Sequence, residues 1–192
     1  MKILIVAATE IEIKSLLPFF AFIKQYPGNL SGYFFKDHTV YLFTAGVGMV
    51  TTTYNLTKIL QQFKFDFVLN IGIAGSFSEK NEISLGDVVH VAEDVIAELG
   101  VDEGGRFVSL TDTGLIHNRD VCFKSEFAGR SCLTDFPSVK SVTVNTLSDN
   151  AIRNRELMER TDASVETMEG AAVCYVCSRQ RLPWVQLRAV SN

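Results

Sequence analysis

The sequence has no long hydrophobic run and little positive charge. None of its apolar stretches approaches the roughly 20 residues that a membrane-spanning helix requires. Its 18 lysines and arginines are outnumbered by 22 acidic residues, which gives a net charge of −4. A surface with this balance is poorly suited to nucleic acid or to an anionic membrane. We therefore expect neither of them as a partner.

Histidine and cysteine are scarce, with three and four residues. His38, His90 and His117 have no cysteine or acid cluster beside them, so we expect them on the surface or in loops. Cys174 and Cys177 form a CxxC inside a helical stretch, and no second pair completes a zinc set, which favours core-facing positions. We expect no metal and no cofactor. The few cysteines and the lack of a signal-peptide cleavage region predict a cytoplasmic protein.

Apolar residues are abundant and occur in regular blocks. They make up 47% of the chain, and the mean hydropathy is +0.16, which indicates a well-filled core. Strand-length apolar runs alternate with amphipathic, helix-length segments, a pattern typical of an α/β fold. We predict a three-layer structure in which helices flank a mixed, mostly parallel central sheet. Residues 1–192 are expected to form a single domain.

The predicted elements follow these blocks. Strands are expected near residues 2–8, 39–45, 66–72, 86–93, 139–144, 163–167 and 184–190. Helices are expected near residues 10–20, 49–62, 148–160 and 170–181. A hairpin is predicted between 33–36 and 39–44, and loops with short strands are predicted across 94–137. Since the apolar strand 184–190 is followed directly by the last residues, we expect the domain to lack a C-terminal helix that would cover it.

The segment Val165 to Ala172 joins a short strand directly to an apolar helix. This places Met168 and Glu169 where the ends of strands form a ligand crevice in α/β folds. A carboxylate there can accept hydrogens from both hydroxyls of a ribose diol. The alternative is that Glu169 only occupies the first helical turn, where negative charge is favourable.

The first strand ends in a second polar junction. Glu10 and Glu12 lie about 200° apart around a helix, so only one of them can face a given cleft. Thr9 and Glu12 also have the spacing of a capping box, in which Glu12 only reaches back to the Thr9 amide. Both interpretations of Glu12 stay open on these residues alone.

Three further junctions carry weaker signals. The small residues of Asn70–Phe77 would let a ligand approach the backbone closely, but their spacing is not that of a dinucleotide or phosphate loop. Gly46-Val47-Gly48 indicates a sharp turn before the helix 49–62. The polar residues of 188–192 end the last strand and mean little by themselves.

Taken together, these pieces resemble the nucleoside phosphorylase/nucleosidase superfamily over nearly the whole chain. The matching pieces are Lys2-Ile3-Leu4-Ile5 with Glu12, Gly46-Val47-Gly48, Asn70-Ile71-Gly72-Ile73-Ala74-Gly75, Gly86-Asp87-Val88-Val89, Val165 to Ala172, and Arg188-Ala189-Val190-Ser191. Within the superfamily, the chain is most similar to the futalosine hydrolases of an alternative menaquinone pathway. That likeness rests on Ala97 to Asp102 with Gly105-Arg106-Phe107, Thr143-Val144-Asn145-Thr146, Glu166 to Ala172, and Arg188 to Asn192.

The resemblance implies a nucleoside phosphorylase-like fold and an N-glycosidase that hydrolyses futalosine to hypoxanthine and dehypoxanthine futalosine. It implies that Glu12 is the general base for water, that Glu169 binds the ribose hydroxyls and that Met168 packs on the sugar. The resemblance also implies a homo-oligomer. The implied substrate-binding residues are Ala8, Ile73, Ala74, Gly75, Asn145, Thr146, Thr167, Met168, Glu169 and Ser191, with Asn192 placed beside Glu12 in the catalytic group.

Two departures refine this expectation. Phosphorylases of the superfamily place an arginine before the Gly-rich turn, where this chain has Leu69-Asn70, so we favour hydrolysis over phosphorolysis. Adenine-specific nucleosidases carry an aspartic acid after the serine, and Asn192 has no acidic proton to give. The general acid is therefore unassigned. The alternatives are a methylthioadenosine/adenosylhomocysteine nucleosidase and a non-catalytic nucleoside-binding protein on the same fold.

Overall fold

A computed structural model describes residues 1–77 and 83–192. Within this part of the chain, ten of the twelve strands form one mixed sheet. The strands are β1 (Lys2–Ala7), β2 (Ala21–Tyr26), β3 (Leu30–Phe35), β4 (His38–Thr44), β5 (Phe67–Ser76), β6 (Val88–Ile96), β7 (Gly100–Asp102), β8 (Phe107–Ser109), β9 (Cys122–Lys124), β10 (Ser138–Thr143), β11 (Val165–Thr167) and β12 (Trp184–Val190). β7 and β8 pair with each other as a separate hairpin.

The centre of the sheet is parallel, and so are the pairs of β10 with β6 and β11; β12 joins β6, and β3 joins β2 and β4, in antiparallel pairs. The order is β11-β10-β6-β12-β5-β1-β4-β3-β2, with β9 beside β6. β4, β1, β5 and β12 run in the same direction, so their carboxyl ends meet at one edge. In α/β sheets, ligands bind at the edge where the strands end. The architecture therefore points to the ends of β1, β5 and β12 as the place for a site.

Helices cover both faces of this sheet. They are α1 (Glu10–Lys14), α2 (Met49–Gln62), α3 (Ala151–Thr161) and α4 (Gly170–Gln180). Leu4 and Val6 pack in one core cluster with α2 and α4, whereas Ile5 and Ala7 pack with α1. Since successive strand residues point to opposite faces, α1 lies across the sheet from α2 and α4. The predicted three-layer α/β architecture is confirmed.

The first helix is shorter than the expected span of 10–20. α1 ends at Lys14, and a separate 3₁₀ turn follows over Leu17–Phe19, which contains Pro18. Proline has no amide hydrogen to donate and disfavours helical backbone at the residue before it. The proline therefore divides a segment that periodicity alone treats as continuous.

The edge strand β2 was not predicted. It pairs with β3 in an antiparallel hairpin, and none of its residues is buried. An edge strand with little burial carries no clear alternation of apolar and polar residues. The hairpin expected around Asp37-His38 is confirmed, with β3 longer than the predicted 33–36.

The prediction for the histidines is wrong at one position. His117 is exposed and His38 is partly buried, but His90 lies inside β6 and is 1% exposed. Burial lowers the pKa of His90, since a charged imidazole is disfavoured there. Cys174 and Cys177 face the core from α4, as predicted, and burial raises the pKa of Cys177 to about 12.

No helix among the described residues combines the length and the apolar character needed to cross a membrane.

Candidate active site

Glu12 lies at the carboxyl end of β1 and divides its two oxygens between two tasks. Oε2 accepts hydrogen bonds from the Thr9 amide (2.8 Å) and the Thr9 hydroxyl (3.0 Å), which is the local, capping interaction. Oε1 faces β5 and accepts from the Ile73 amide at 3.3 Å. The capping interaction of Glu12 is therefore present and is compatible with a role in a site, because the same contact with Thr9 fixes the carboxylate that faces β5. Glu10 is exposed to solvent.

Gly72 lets Glu12 approach Arg188 across β5. A β-carbon added at Gly72 would lie 2.6 Å from Glu12 Oε1 and even closer to Arg188 Nη1. Arg188 is the partner of Gly72 in the parallel pairing of β12 with β5. The absence of a side chain at Gly72 thus opens the space in which the carboxylate and the guanidinium meet.

Arg188 is a buried cation surrounded by carboxylates. It is 1% exposed, and burial lowers its pKa, while the charges of Glu169, Asp94 and Glu12 act in the opposite direction. Its Nε and Nη2 atoms are buried and have no hydrogen-bond partner in the described part of the chain. Donors of a buried guanidinium are costly to leave unpaired. This residue therefore has hydrogen-bonding capacity that the fold itself does not use.

Glu169 immediately precedes α4 and is 8% exposed. Its Oε1 accepts a hydrogen bond from the Gly48 amide at 2.8 Å, and the side chain does not cap its own helix. The simpler interpretation, a carboxylate that serves only the first turn of α4, does not describe this contact. Gly48 has φ +85°, a left-handed backbone that favours glycine, so the turn before α2 is shaped to present this amide.

The two carboxylates share one electrostatic environment. The pKa of Glu169 is raised mainly by burial; the Gly48 hydrogen bond and Arg188 lower it, and the charge of Glu12 raises it further. Residues 157 positions apart in the sequence therefore meet around Arg188, which the sequence analysis placed in a matching piece without giving it a role. The available signal for Arg188 was a charged residue inside a mostly apolar strand.

A second group of predicted residues lies along the end of β5. The Ser191 amide donates to the Ala74 carbonyl oxygen (2.9 Å), and the Ser191 hydroxyl donates to Asn192 Oδ1 (2.9 Å). Asn192 Nδ2 lies over Gly75, 3.2 Å from the position that a β-carbon would take there. Ile73 is 56% exposed at this edge. Ser191 and Asn192 thus border the same strand end as Glu12, and Ala8 is buried beside it at the end of β1.

Asn145 and Thr146 follow β10 in an exposed loop held by an ion pair. Glu98 Oε2 accepts from the Asn145 amide at 2.6 Å, and its Oε1 accepts from Arg153 Nη2 at 2.8 Å. Arg153 also donates to the Thr146 carbonyl oxygen at 2.8 Å. The backbone of this predicted binding loop is therefore fixed from α3 and from the segment after β6.

The side chain of Thr167 serves the fold rather than the group around Arg188. Its hydroxyl is buried, lies 3.2 Å from the Thr143 hydroxyl and accepts from the Gly170 amide at 3.2 Å. Met168, which follows it, is half-buried. Glu166, which precedes Thr167 and was not among the predicted site residues, is a buried carboxyl beside Asn192 and Gly75.

A family comparison decides the class of the protein. The family model described as the Phosphorylase superfamily matches residues 2–192. The chain belongs to this superfamily.

Relatives within the phosphorylase superfamily are nucleosidases by name. A 5'-methylthioadenosine/S-adenosylhomocysteine nucleosidase of Shewanella sediminis is 28% identical over 216 residues, which is 100% of this chain and 86% of the relative. An aminodeoxyfutalosine nucleosidase of Campylobacter jejuni is 24% identical over 204 residues, with the same shares covered. The solved structure of a futalosine hydrolase mutant of Helicobacter pylori has a TM-score of 0.80 at 22% identity, covering 100% of this chain and 86% of that one.

The predicted superfamily and its nucleoside phosphorylase-like fold are confirmed. The prediction of an N-glycosidase is confirmed as an enzyme class, since the relatives are nucleosidases, although they differ in the nucleoside for which they are named. Among the described residues, no group of three or more His, Cys, Asp or Glu side chains is arranged to hold a metal ion.

Proposed function

We propose that this superfamily member is a purine nucleosidase that hydrolyses the N-ribosidic bond of futalosine, releasing hypoxanthine and dehypoxanthine futalosine. The observation that carries the nucleosidase proposal is the meeting of Glu12 and Glu169 around Arg188 at the carboxyl ends of the central strands. A pair of carboxylates beside the scissile bond is also the usual arrangement in the hydrolysis of glycosides. Residues 1–192 act in this proposal as one nucleosidase domain.

The roles that we assign to the residues are those that the family resemblance implies. Glu12, whose position is fixed by Thr9 and Ile73, takes a proton from water as the water attacks the anomeric carbon. Glu169 accepts from the ribose hydroxyls, with Met168 packed against the sugar. The backbone of Ile73, Ala74 and Gly75 brackets the purine.

The charge of the site favours water over phosphate as the nucleophile. Three carboxylates act on the single guanidinium of Arg188, those of Glu169, Asp94 and Glu12. Asn70, at the position where phosphorylases of the superfamily have an arginine, is buried and donates to Gln186 Oε1 at 2.6 Å. A dianionic phosphate would be repelled by the carboxylates.

The choice of futalosine rests on Asn192. In adenine-specific nucleosidases an aspartic acid follows the serine, whereas the Asn192 amide can only offer hydrogen bonds. The competing candidate is a methylthioadenosine/adenosylhomocysteine nucleosidase, and it is supported by the 28% identity to the Shewanella sediminis enzyme. The aminated analogue of futalosine is a third substrate, and it would also release adenine.

The decisive experiment identifies the base that is released. The protein is incubated in phosphate-free buffer with futalosine, aminodeoxyfutalosine, methylthioadenosine or adenosylhomocysteine, and the products are separated by chromatography. We expect hypoxanthine from futalosine and a free sugar rather than a sugar phosphate. Release of adenine without hypoxanthine would overturn the futalosine assignment, and tight binding without turnover of any nucleoside would favour a binding protein.

A further inference from the structure

Glu166 is a buried carboxyl for which the fold provides no complete set of partners. It lies in β11, opposite Gly75 of β5 and Val142 of β10, and is 4% exposed. Its Oε2 atom is buried and has no hydrogen-bond partner among the residues that the structure describes. A buried carboxyl oxygen without a hydrogen-bond partner lowers the stability of the folded state, so packing alone does not explain a glutamate at this position.

The side chain of Glu166 reaches the proposed purine pocket. The β-carbon position above Gly75 is 3.2 Å from Asn192 Nδ2 and 3.4 Å from Glu166 Oε1. The amide and the carboxyl therefore approach the same point on β5, and a side chain at Gly75 would crowd both. Gly75 ends the segment whose backbone brackets the purine in the proposed function.

The surroundings of Glu166 favour its protonated form. Burial is the main cause that raises its pKa; the charge of Arg153 opposes this and the charge of Glu98 adds to it. These two residues pair with each other, which limits the help that Arg153 gives. The residues facing Glu166 from β5 and β10, Gly75 and Val142, carry no charge.

We propose that Glu166 is the general acid of the reaction, donating its proton to N7 of the departing purine in place of the acid that Asn192 lacks. This inference rests on the proposed nucleosidase function and names a residue for its unassigned step. Asn192 then orients the purine through its amide, next to the carboxyl that supplies the proton.

The proton and electron pairs balance. The C1'–N9 bond breaks and its electron pair goes to the purine ring, while Glu166 transfers its proton to N7 and becomes a carboxylate. Water forms the new bond to C1', and Glu12 takes the proton that the water loses. Proton exchange with solvent then restores Glu166 to the acid form and Glu12 to the carboxylate.

The test compares futalosine with its N7-methyl derivative, whose cationic base departs without a proton. For Glu166→Gln we expect kcat on futalosine to fall roughly 100-fold or more, the range of general acid catalysis. On the methylated substrate the same variant should stay within a few-fold of the unaltered protein. Equal losses on both substrates, or unchanged kcat on futalosine, would overturn the proposal.

Two further variants distinguish a loss of catalysis from a loss of folding. Adding Asn192→Asp to Glu166→Gln should restore much of the lost rate, because an acid is returned to the pocket; failure of this rescue in a folded double variant counts against the proposal. Glu93→Gln, which alters a partly buried glutamate of β6 that pairs with Lys140, is the matched control and should keep kcat within about 2-fold.

The unaltered protein supplies a test that needs no variant. Its kcat on futalosine should fall as the pH rises through the pKa of Glu166, and this basic limb should be missing with the methylated substrate. Identical profiles for the two substrates would contradict the acid role. If the protein releases adenine from methylthioadenosine instead, the proposed futalosine activity fails, but the same comparison with N7-methylated methylthioadenosine still tests Glu166.

Discussion

At the residue scale, the site depends on one buried arginine that is flanked by acids. Arg188 has little solvent around it, so its charge is compensated by Glu12, Glu169 and Asp94. Removing one partner of a buried charge costs more than the pair contributes, because the remaining charge stays buried. Each of these acids therefore influences the others through the arginine, even without a direct hydrogen bond.

Glu12→Gln separates the chemical role of Glu12 from its structural role. The carbonyl oxygen of glutamine can still accept from Thr9, but its amide nitrogen would face the Ile73 amide without accepting, and the side chain cannot take a proton from water. We expect kcat to fall roughly 10²- to 10⁴-fold, the range typical of general base catalysis. The melting temperature should fall as well, because Arg188 loses one of its compensating charges. Steady-state release of purine base measures the first quantity and thermal unfolding the second.

Glu10→Gln is the control for this substitution. Glu10 is exposed and two positions away on the same short helix. It should retain the activity of the unaltered protein. A comparable loss of activity in both variants would mean that the charge of α1, rather than the Glu12 carboxylate, matters.

The sequence singled out Glu12 and Glu169 as candidates but gave no role to Arg188 or Glu166. Glu12 and Glu169 stand directly after strands, and strand ends converge at one edge of a parallel sheet. Arg188 and Glu166 lie inside strands, where side chains alternate between faces. Whether they face a cleft or a helix is set by pairing register, which one sequence does not determine. Thr167 is the opposite case. It was predicted to bind substrate, but its hydroxyl lies against the Thr143 hydroxyl and accepts a hydrogen bond from the Gly170 amide.

At the element scale, β5 carries the site because it lies between β1 and β12 and has glycine at two critical positions. Gly72→Ala should impair the enzyme strongly, since a β-carbon there overlaps the Arg188 guanidinium and comes within 2.6 Å of the Glu12 carboxylate. We expect at least a 10-fold loss of kcat and a destabilisation of about 1–3 kcal/mol, as for other overpacked positions. Base-release kinetics and urea unfolding measure these effects.

Gly75→Ala is the matched change on the same strand. Its β-carbon would meet Asn192 Nδ2 at 3.2 Å and Glu166 Cγ at 3.3 Å, which are close contacts but not overlaps. The loss of stability should therefore be smaller than for Gly72→Ala. The opposite order would argue against the packing described at Gly72.

The elements that the sequence predicted best are the most buried ones. The apolar runs that became β1, β5 and β12 are buried at the centre of the sheet, so their composition alone marks them. β6 extends to Ile96, beyond its predicted end, because its last residues pair with β9 and β10, and such pairings connect distant parts of the chain. The sequence had no local signal for that extension.

At the scale of the whole molecule, buried polar side chains connect four strands of the sheet. Asp94 accepts from the Thr143 hydroxyl (2.8 Å) and from Gln186 Nε2 (2.7 Å), and Gln186 accepts from Asn70. Burial is the main cause that raises the pKa of Asp94 from 3.8 to about 6. The folded state therefore binds a proton that the unfolded chain releases between those two values.

This raised pKa predicts how the stability depends on pH. Because the folded protein holds the proton more tightly, its free energy of unfolding should fall as the pH rises from about 4 to about 6. The loss attributable to Asp94 is about 3 kcal/mol at most. In Asp94→Asn this component should be absent, and urea unfolding over that pH range measures it.

Asp135→Asn, a change at an exposed aspartate, is the control for Asp94→Asn and should leave the pH dependence unaltered. Parallel curves for Asp94→Asn and the unaltered protein would show that Asp94 does not titrate in this range.

The expected homo-oligomer remains a prediction, and α2 offers a surface to test it. Val50 and Tyr54 lie one turn apart on this helix and are 83% and 66% exposed. Residues four apart share a helix face, and exposed apolar pairs often mark contact surfaces. We expect light scattering to give a multiple of 21.3 kDa, and Tyr54→Asp to shift the mass toward the single chain. The exposed Gln62→Asp, about 80° around the same helix from Tyr54, should have less effect.

The pairing of β5 with both β1 and β12 has a kinetic consequence. These pairs join residues more than 60 and more than 110 positions apart, and such non-local contacts form slowly because the intervening chain must first be ordered. Helical signal should therefore reappear early after dilution from denaturant, while base-releasing activity returns in the last resolved phase. Turnover becomes a reporter of completed sheet assembly.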